Sequence, residues 1–173
     1  GYDEWNLYGI SYGTRLALTA MRDHPEGLRA VILDGVYPPN ANLHLALDQG
    51  FAGSFRALLD GCAQDAACAA HYPDLEARLL TLVDRVRQSP ATVSASSPVD
   101  GSSISVTLNE EAVMDGLFDA LYDGNLTRAL PFVIDQLARG NTDVALPLAQ
   151  NQVDWMDYIT EGLRWSIDCA EEV

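Results

Sequence analysis

The chain has 173 residues, 48% of them apolar and 20% charged, which are the proportions of one folded domain rather than of a disordered or fibrous polymer. Ten basic residues stand against 25 acidic ones, for a net charge of −15, and all ten are arginines scattered along the chain. That argues against a nucleic-acid partner, because phosphate binding needs concentrated cationic side chains; no apolar run nears the roughly 18 residues that cross a bilayer, so a soluble chain is expected. Residues 1–5 carry no basic, apolar leader pattern, so no targeting signal is expected within the chain.

In chain order, Trp5 to Tyr8 reads as a short strand that enters Gly9-Ile10-Ser11-Tyr12-Gly13. Thr14 to Arg22 follows as a helix with apolar residues on most faces, predicting a largely buried element, and Pro25-Glu26-Gly27 ends it. Leu28 to Leu33 is a mostly apolar, β-branched run closed by Asp34-Gly35, the pattern of a strand covered on both faces in a parallel sheet. Strand, turn, helix and strand make one βαβ unit, which needs more sheet than two strands supply.

Beyond Tyr37-Pro38-Pro39-Asn40 the pattern turns helical. Leu43 to Leu59 carries Leu43, Leu47, Phe51, Phe55, Leu58 and Leu59 at helical spacing. Leu75 to Val86 is a second helix, opened by Asp74, with Leu79, Leu82, Val83 and Val86 on one side. Residues 92–95 and 104–108 predict a hairpin across Ser-Ser-Pro-Val-Asp-Gly. Asn109 caps a helix running to Tyr122, with Glu110 and Glu111 in its first turn. Leu126 to Ala138 is helical, with a start at Pro131 as one option and Gly140 as its stop. Thr142 to Trp165 is partly helical and interrupted at Pro147.

The pentapeptide at residues 9–13 fits G-x-S-x-G, the nucleophile elbow. A serine hydroxyl is a poor nucleophile and must be held clear of its neighbours, near a base. A tight strand-to-helix turn does this, with glycines two residues to either side to avoid collisions. The helix N-terminus offers backbone N–H groups to a developing oxyanion, with the Tyr12 N–H as the first candidate donor. Ser11 is therefore the candidate nucleophile, the alternative being a structural turn serine.

Trp5-Asn6-Leu7-Tyr8-Gly9-Ile10-Ser11-Tyr12-Gly13-Thr14-Arg15-Leu16-Ala17, then His24-Pro25 and Val31-Ile32-Leu33-Asp34-Gly35-Val36, resembles the α/β-hydrolases of the proline iminopeptidase and tripeptidyl aminopeptidase family, peptidase family S33, above all its TAP-like branch. The Cys62-to-Cys68 segment, the hairpin, the helices and Trp165-Ser166-Ile167-Asp168-Cys169-Ala170-Glu171 resemble that branch's helical cap and its return to the sheet. The likeness spans the chain and is closest over residues 5–39. It implies an α/β fold: an incomplete α/β-hydrolase core over 1–37 with the elbow βαβ unit, a mostly helical cap with a hairpin over 38–165, and a return segment over 166–173. It also implies a serine hydrolase that cleaves N-terminal residues or short peptides through an acyl-enzyme. The triad Asp and His would lie beyond residue 173, leaving this chain inert by itself. A carboxylesterase, or a non-catalytic cap fragment that associates through exposed strands or pairs with further core segments, are the competing readings.

Three histidines offer weak substitutes for a base. His24 lies about 20 Å along the helix from Ser11 at 1.5 Å per residue, His44 opens the next helix and His71 precedes Tyr72-Pro73. Asp34 ends the second strand and is either a triad acid or, as the resemblance implies, a structural turn. Asp168, Glu171 and Glu172 are either ligands for a substrate ammonium or a solvated acidic chain end; the resemblance implies an acid two residues after Cys169, normally Asp and here Glu171. Trp155, Tyr158 and Trp165 either floor an apolar pocket or pack the cap. No cofactor or metal is expected, since no His or Cys pair has ligand spacing and no phosphate-cradling G-x-x-x-x-G-K is present. Cys62 and Cys68 are either a disulfide across a helix–turn corner, implying a secreted or periplasmic location, or two reduced thiols. Cys169 is left odd, paired elsewhere or free.

Overall fold

The computed structural model describes residues 1–158 and 160–172, with side chains of all but 155–158. Two compact units divide the chain, Gly1–Gln49 together with Glu172, and Gly50–Glu171.

The first unit opens with β1 (Trp5–Ile10), α1 (Tyr12–Asp23) and β2 (Leu28–Asp34). The strands pair in parallel, with Leu7 opposite Val31, Tyr8 opposite Ile32 and Gly9 opposite Leu33. Successive strand residues face opposite sides. Leu7, Gly9, Val31 and Leu33 form the more buried face, while Tyr8, Ile10 and Ile32 on the other face are exposed. The expectation that β2 is covered on both faces is therefore corrected for the described residues: the face carrying Ile32 is exposed, and the strand it pairs with is β1. The expectation of a largely buried α1 is corrected too. Only Thr14 and Ala17 are buried there, because that single line of residues meets the sheet, while Leu16 stands 63% exposed and Met21 is also exposed.

In the second unit the predicted helices form, most with longer bounds, while the one after Asn109 ends at Ala120 rather than Tyr122. α2 (Leu43–Gln64), which begins in the first unit, runs past Leu59, and a short α3 (Ala66–His71) follows that the periodicity did not announce. Asp65 caps α3, its side chain accepting from Cys68 N–H at 2.8 Å. Cys62 and Cys68 form a disulfide with Cα atoms 5.1 Å apart, joining α2 to α3, and Cys169 is free and exposed.

α4 (Leu75–Gln88) begins after Asp74, which holds φ 54° and makes no side-chain cap. β3 (Ala91–Ser96) and β4 (Ser103–Leu108) form the predicted antiparallel hairpin. α5 (Glu110–Ala120) starts at Asn109, whose side chain accepts from Ala112 N–H at 2.8 Å.

α6 (Gly124–Ala138) corrects the option of a start at Pro131. The Asp123 carboxylate takes the N–H groups of Asn125 and Leu126, so the helix begins seven residues earlier and Pro131 sits buried inside it. Pro147 interrupts nothing: it is the second residue of α7 (Leu146–Tyr158), where a missing N–H is harmless. α8 (Glu161–Glu171) ends the unit.

A continuous apolar cluster holds this unit, drawn from α2, α4, α5, α6 and α7, with Leu82, Leu117, Leu130 and Ile134 fully buried. The carboxylate of Asp135 on α6 is also buried, ion-paired with Arg78 of α4 and with Arg139 one turn on. Among the described residues no helix is long and apolar enough to cross a membrane.

Candidate active site

Ser11 joins β1 to α1 with φ 52° and ψ −120°, a backbone state that side chains other than glycine rarely adopt. Such a residue costs on the order of 1–3 kcal/mol and persists only where its surroundings hold it. Here they do. Ser11 N–H donates to Asp34 C=O at 2.9 Å, tying the turn to the end of β2. Its own carbonyl accepts from Thr14 N–H at 2.9 Å and from the Thr14 hydroxyl at 2.7 Å. The Thr14 oxygen in turn accepts from Tyr37 N–H at 2.7 Å. Thr14 is fully buried, and Ser11 is exposed.

The flanking glycines do different jobs. A Cβ on Gly9 would lie 2.7 Å from Gly13 C and 2.9 Å from Thr14 N, so strand and helix approach too closely there for any side chain. A Cβ on Gly13 would meet nothing within 4 Å among the described residues. The expectation that both glycines prevent collisions is therefore corrected to Gly9, since the position a Cβ would take on Gly13 is open. Gly35, at φ +64°, brings the end of β2 back toward the Ser11 nitrogen. Tyr12 is the first helical residue after the turn, at the N-terminus of α1.

Asp34 has two roles in this turn. Its carbonyl anchors Ser11, and its carboxylate accepts from the Tyr8 hydroxyl at 2.9 Å, which raises the phenol above its usual range. His24 ends α1 at the opposite pole, exposed, its backbone N–H donating to Ala20. His44 is exposed near the start of α2, and His71 is exposed beside the Tyr72 ring.

Glu172 is the residue that sequence reasoning undervalued. Read as either a ligand for a substrate ammonium or part of a solvated acidic end, its carboxylate is 2% exposed and sits in a cage of donors. Arg15 and the Tyr37 hydroxyl both bond to Oε1, and Leu43 N–H donates to Oε2 at 2.7 Å. The Asn42 side-chain amide adds a bond to the Glu172 carbonyl at 3.2 Å. Arg15 also bonds the Tyr37 hydroxyl and Pro39 C=O, and its guanidinium lies 4.7 Å from the centre of the Tyr37 ring. The Tyr37 hydroxyl first, then Leu43 N–H and Arg15, hold the Glu172 carboxyl below the usual glutamate range against the opposing effect of burial. No sequence spacing announces a pair 157 positions apart; the one available signal is that Arg15 comes two residues after the elbow pentapeptide.

The remaining candidates lie on α8. Asp168 is buried and ion-paired with Arg164 at 3.7 Å, and Arg164 also lies 5.7 Å from the Trp165 ring, which is exposed. Glu171 is exposed at the end of the helix. The side chains of Trp155 and Tyr158 lie outside the described residues.

The chain is similar in sequence to known proteins. It is 30% identical over 154 residues to proteins named Serine protease Hip1 from Mycobacterium tuberculosis (strain ATCC 25618 / H37Rv) and Mycobacterium bovis (strain ATCC BAA-935 / AF2122/97). That alignment covers 86% of this chain and 29% of each relative, so the chain spans under a third of their length. No solved structure gives a significant match. A family model for the alpha/beta hydrolase fold matches residues 1–161, and with a strand–serine–helix turn at its expected place the chain belongs to the alpha/beta hydrolase fold family.

Proposed function

We propose that this chain supplies the nucleophile of a serine hydrolase of the aminopeptidase type, in the TAP-like branch of peptidase family S33. The observation that carries the reading is the backbone of Ser11, held at φ 52° between a parallel strand and a helix N-terminus by bonds to Asp34 and Thr14. Similarity to relatives named serine proteases supports the hydrolase class.

In this reading Ser11 Oγ attacks the scissile carbonyl as a histidine takes its proton, and the Tyr12 N–H helps hold the oxyanion. The same histidine returns the proton to the departing amine, and water then cleaves the acyl-enzyme. That histidine and its orienting aspartate lie outside residues 1–173. The exposed strand face of Tyr8, Ile10 and Ile32 is proposed to be covered by further segments of the hydrolase core. The Cys62–Cys68 bridge supports an extracellular or periplasmic location, where disulfides persist.

A fluorophosphonate probe tests the reading. The full-length protein is expected to be labelled on Ser11, with labelling abolished by Ser11→Ala, and residues 1–173 alone are expected to stay unlabelled. Labelling that survives Ser11→Ala would remove the nucleophile assignment.

A further inference from the structure

We infer that Glu172 is a positioning residue for the Ser11 nucleophile, acting through Tyr37, Arg15 and the buried Thr14 hydroxyl. The inference rests on the reading of Ser11 as nucleophile and goes beyond it by naming what holds that serine in place.

The strained turn at Ser11 needs an external clamp. Its carbonyl is held by the Thr14 hydroxyl, and the oxygen of that hydroxyl is itself held by Tyr37 N–H. Thr14 therefore transmits the position of Tyr37 to Ser11 through two bonds of 2.7 Å. Tyr37 lies beyond β2 in the loop before α2, with no regular element of its own to fix it. Its phenol ring is stacked by Arg15, and its hydroxyl is shared by Arg15 and Glu172.

Glu172 closes the arrangement from the far end of the chain. Its two oxygens take donors from α1 (Arg15), from the loop (Tyr37) and from the start of α2 (Leu43), so one carboxylate sets three segments in register. A charged acceptor suits this task because charge-assisted bonds are short, stiff and about twice as strong as neutral ones. Removing it withdraws the acceptor that Arg15 and Tyr37 share, the loop loosens, and the Thr14 bond to Tyr37 N–H weakens. The serine then samples backbone states in which Oγ no longer faces the substrate carbonyl. Displacements of about 1 Å at a reacting group lower rates by up to about a hundredfold.

The test follows fluorophosphonate labelling of the full-length protein over probe concentration, separating the maximal rate from the half-saturating concentration. Glu172→Ala is expected to lower the maximal rate by about tenfold or more with little change in half-saturation. Glu172→Gln, which keeps the shape and one acceptor, should recover part of that loss. Tyr37→Phe keeps the ring and its Arg15 stacking while losing the hydroxyl, and is expected to cost about threefold to tenfold. If Glu172→Ala does not fold, Tyr37→Phe decides alone. Parental maximal rates in the variants that fold, or a loss confined to half-saturation, overturn the inference while leaving Ser11 as nucleophile. A parent protein whose labelling ignores Ser11→Ala instead removes the proposed function, and this inference with it.

Discussion

The second unit draws a buried apolar side chain from each of α2, α4, α5, α6 and α7 into one cluster, whereas the first unit buries Ala17 and the polar Thr14 and leaves Tyr8, Ile10, Leu16 and Ile32 exposed. Order in the helical unit comes from packing, a sum over many weak contacts. Order at the elbow comes from a few directional bonds around Ser11, Thr14, Tyr37 and Glu172. The difference teaches where each unit is fragile. A lost methyl group in the helices lowers stability by degrees, while a single misplaced atom at the elbow changes what the serine can do.

Mutations that exploit this contrast should separate stability from reactivity. The largest stability effect belongs to the apolar cluster: Leu117→Ala or Leu130→Ala, both fully buried, should cost about 2–5 kcal/mol in urea unfolding. A cost below about 1 kcal/mol would mean that the cluster collapses around the cavity and is less tightly packed than described. At the elbow the matching change is Gly9→Ala. The added methyl would press on the Gly13 and Thr14 backbone at 2.7 and 2.9 Å, shifting helix against strand. Phosphonate labelling of Ser11 in the full-length protein should fall by about a hundredfold. Gly13→Ala, with open space around its Cβ, is the control and should label far better than Gly9→Ala.

A smaller effect is expected at the bridge between α2 and α3. Replacing Cys62 and Cys68 together by serine opens a loop with a sequence separation of 6 and should lower stability by about 2 kcal/mol in the chain-entropy picture. Unfolding midpoints with and without reductant give the same comparison on the unaltered chain. Equal midpoints would show that the bridge constrains little that Asp65 and the surrounding helices do not already fix.

The sequence announced the features that arise from local patterning. The elbow, the two parallel strands, the hairpin and the helix after Asn109 all follow from short-range signals in turn chemistry, capping and periodicity. Three errors share one cause, which is that local signals do not report what lies next to an element. The apolar runs of α1 and β2 predicted a largely buried helix and a strand covered on both faces, yet Leu16 and Ile32 are exposed. Pro131 looked like a helix start because proline often is, but the Asp123 cap acts first and the ring is accommodated inside α6. Glu172 reads as an ammonium ligand or a solvated tail because its partners, Arg15, Tyr37 and Leu43, come from the other end of the chain.

Acid offers the finest probe of the contrast, because Glu172 in the first unit and Asp119 in the second are shifted in opposite directions. Glu172 is held below the usual glutamate range, so its contribution to stability is complete above about pH 4.3 and is lost as pH falls through its lowered value. Asp119 on α5 is raised, first by burial and then by the charge of Asp115. An unfolded chain ionises that group more readily than the folded one, so its contribution is complete below about pH 3.9 and is lost as pH rises through its raised value. Asp119→Asn removes the charge that burial disfavours and should raise the melting temperature at pH 7 but leave it nearly unchanged at pH 3. The gain is the smallest of the effects argued here, because Asp119 is only partly buried and water still reaches it. A gain of equal size at both pH values would assign the effect to packing of the amide rather than to charge, and the electrostatic half of the contrast would then rest on Glu172 alone.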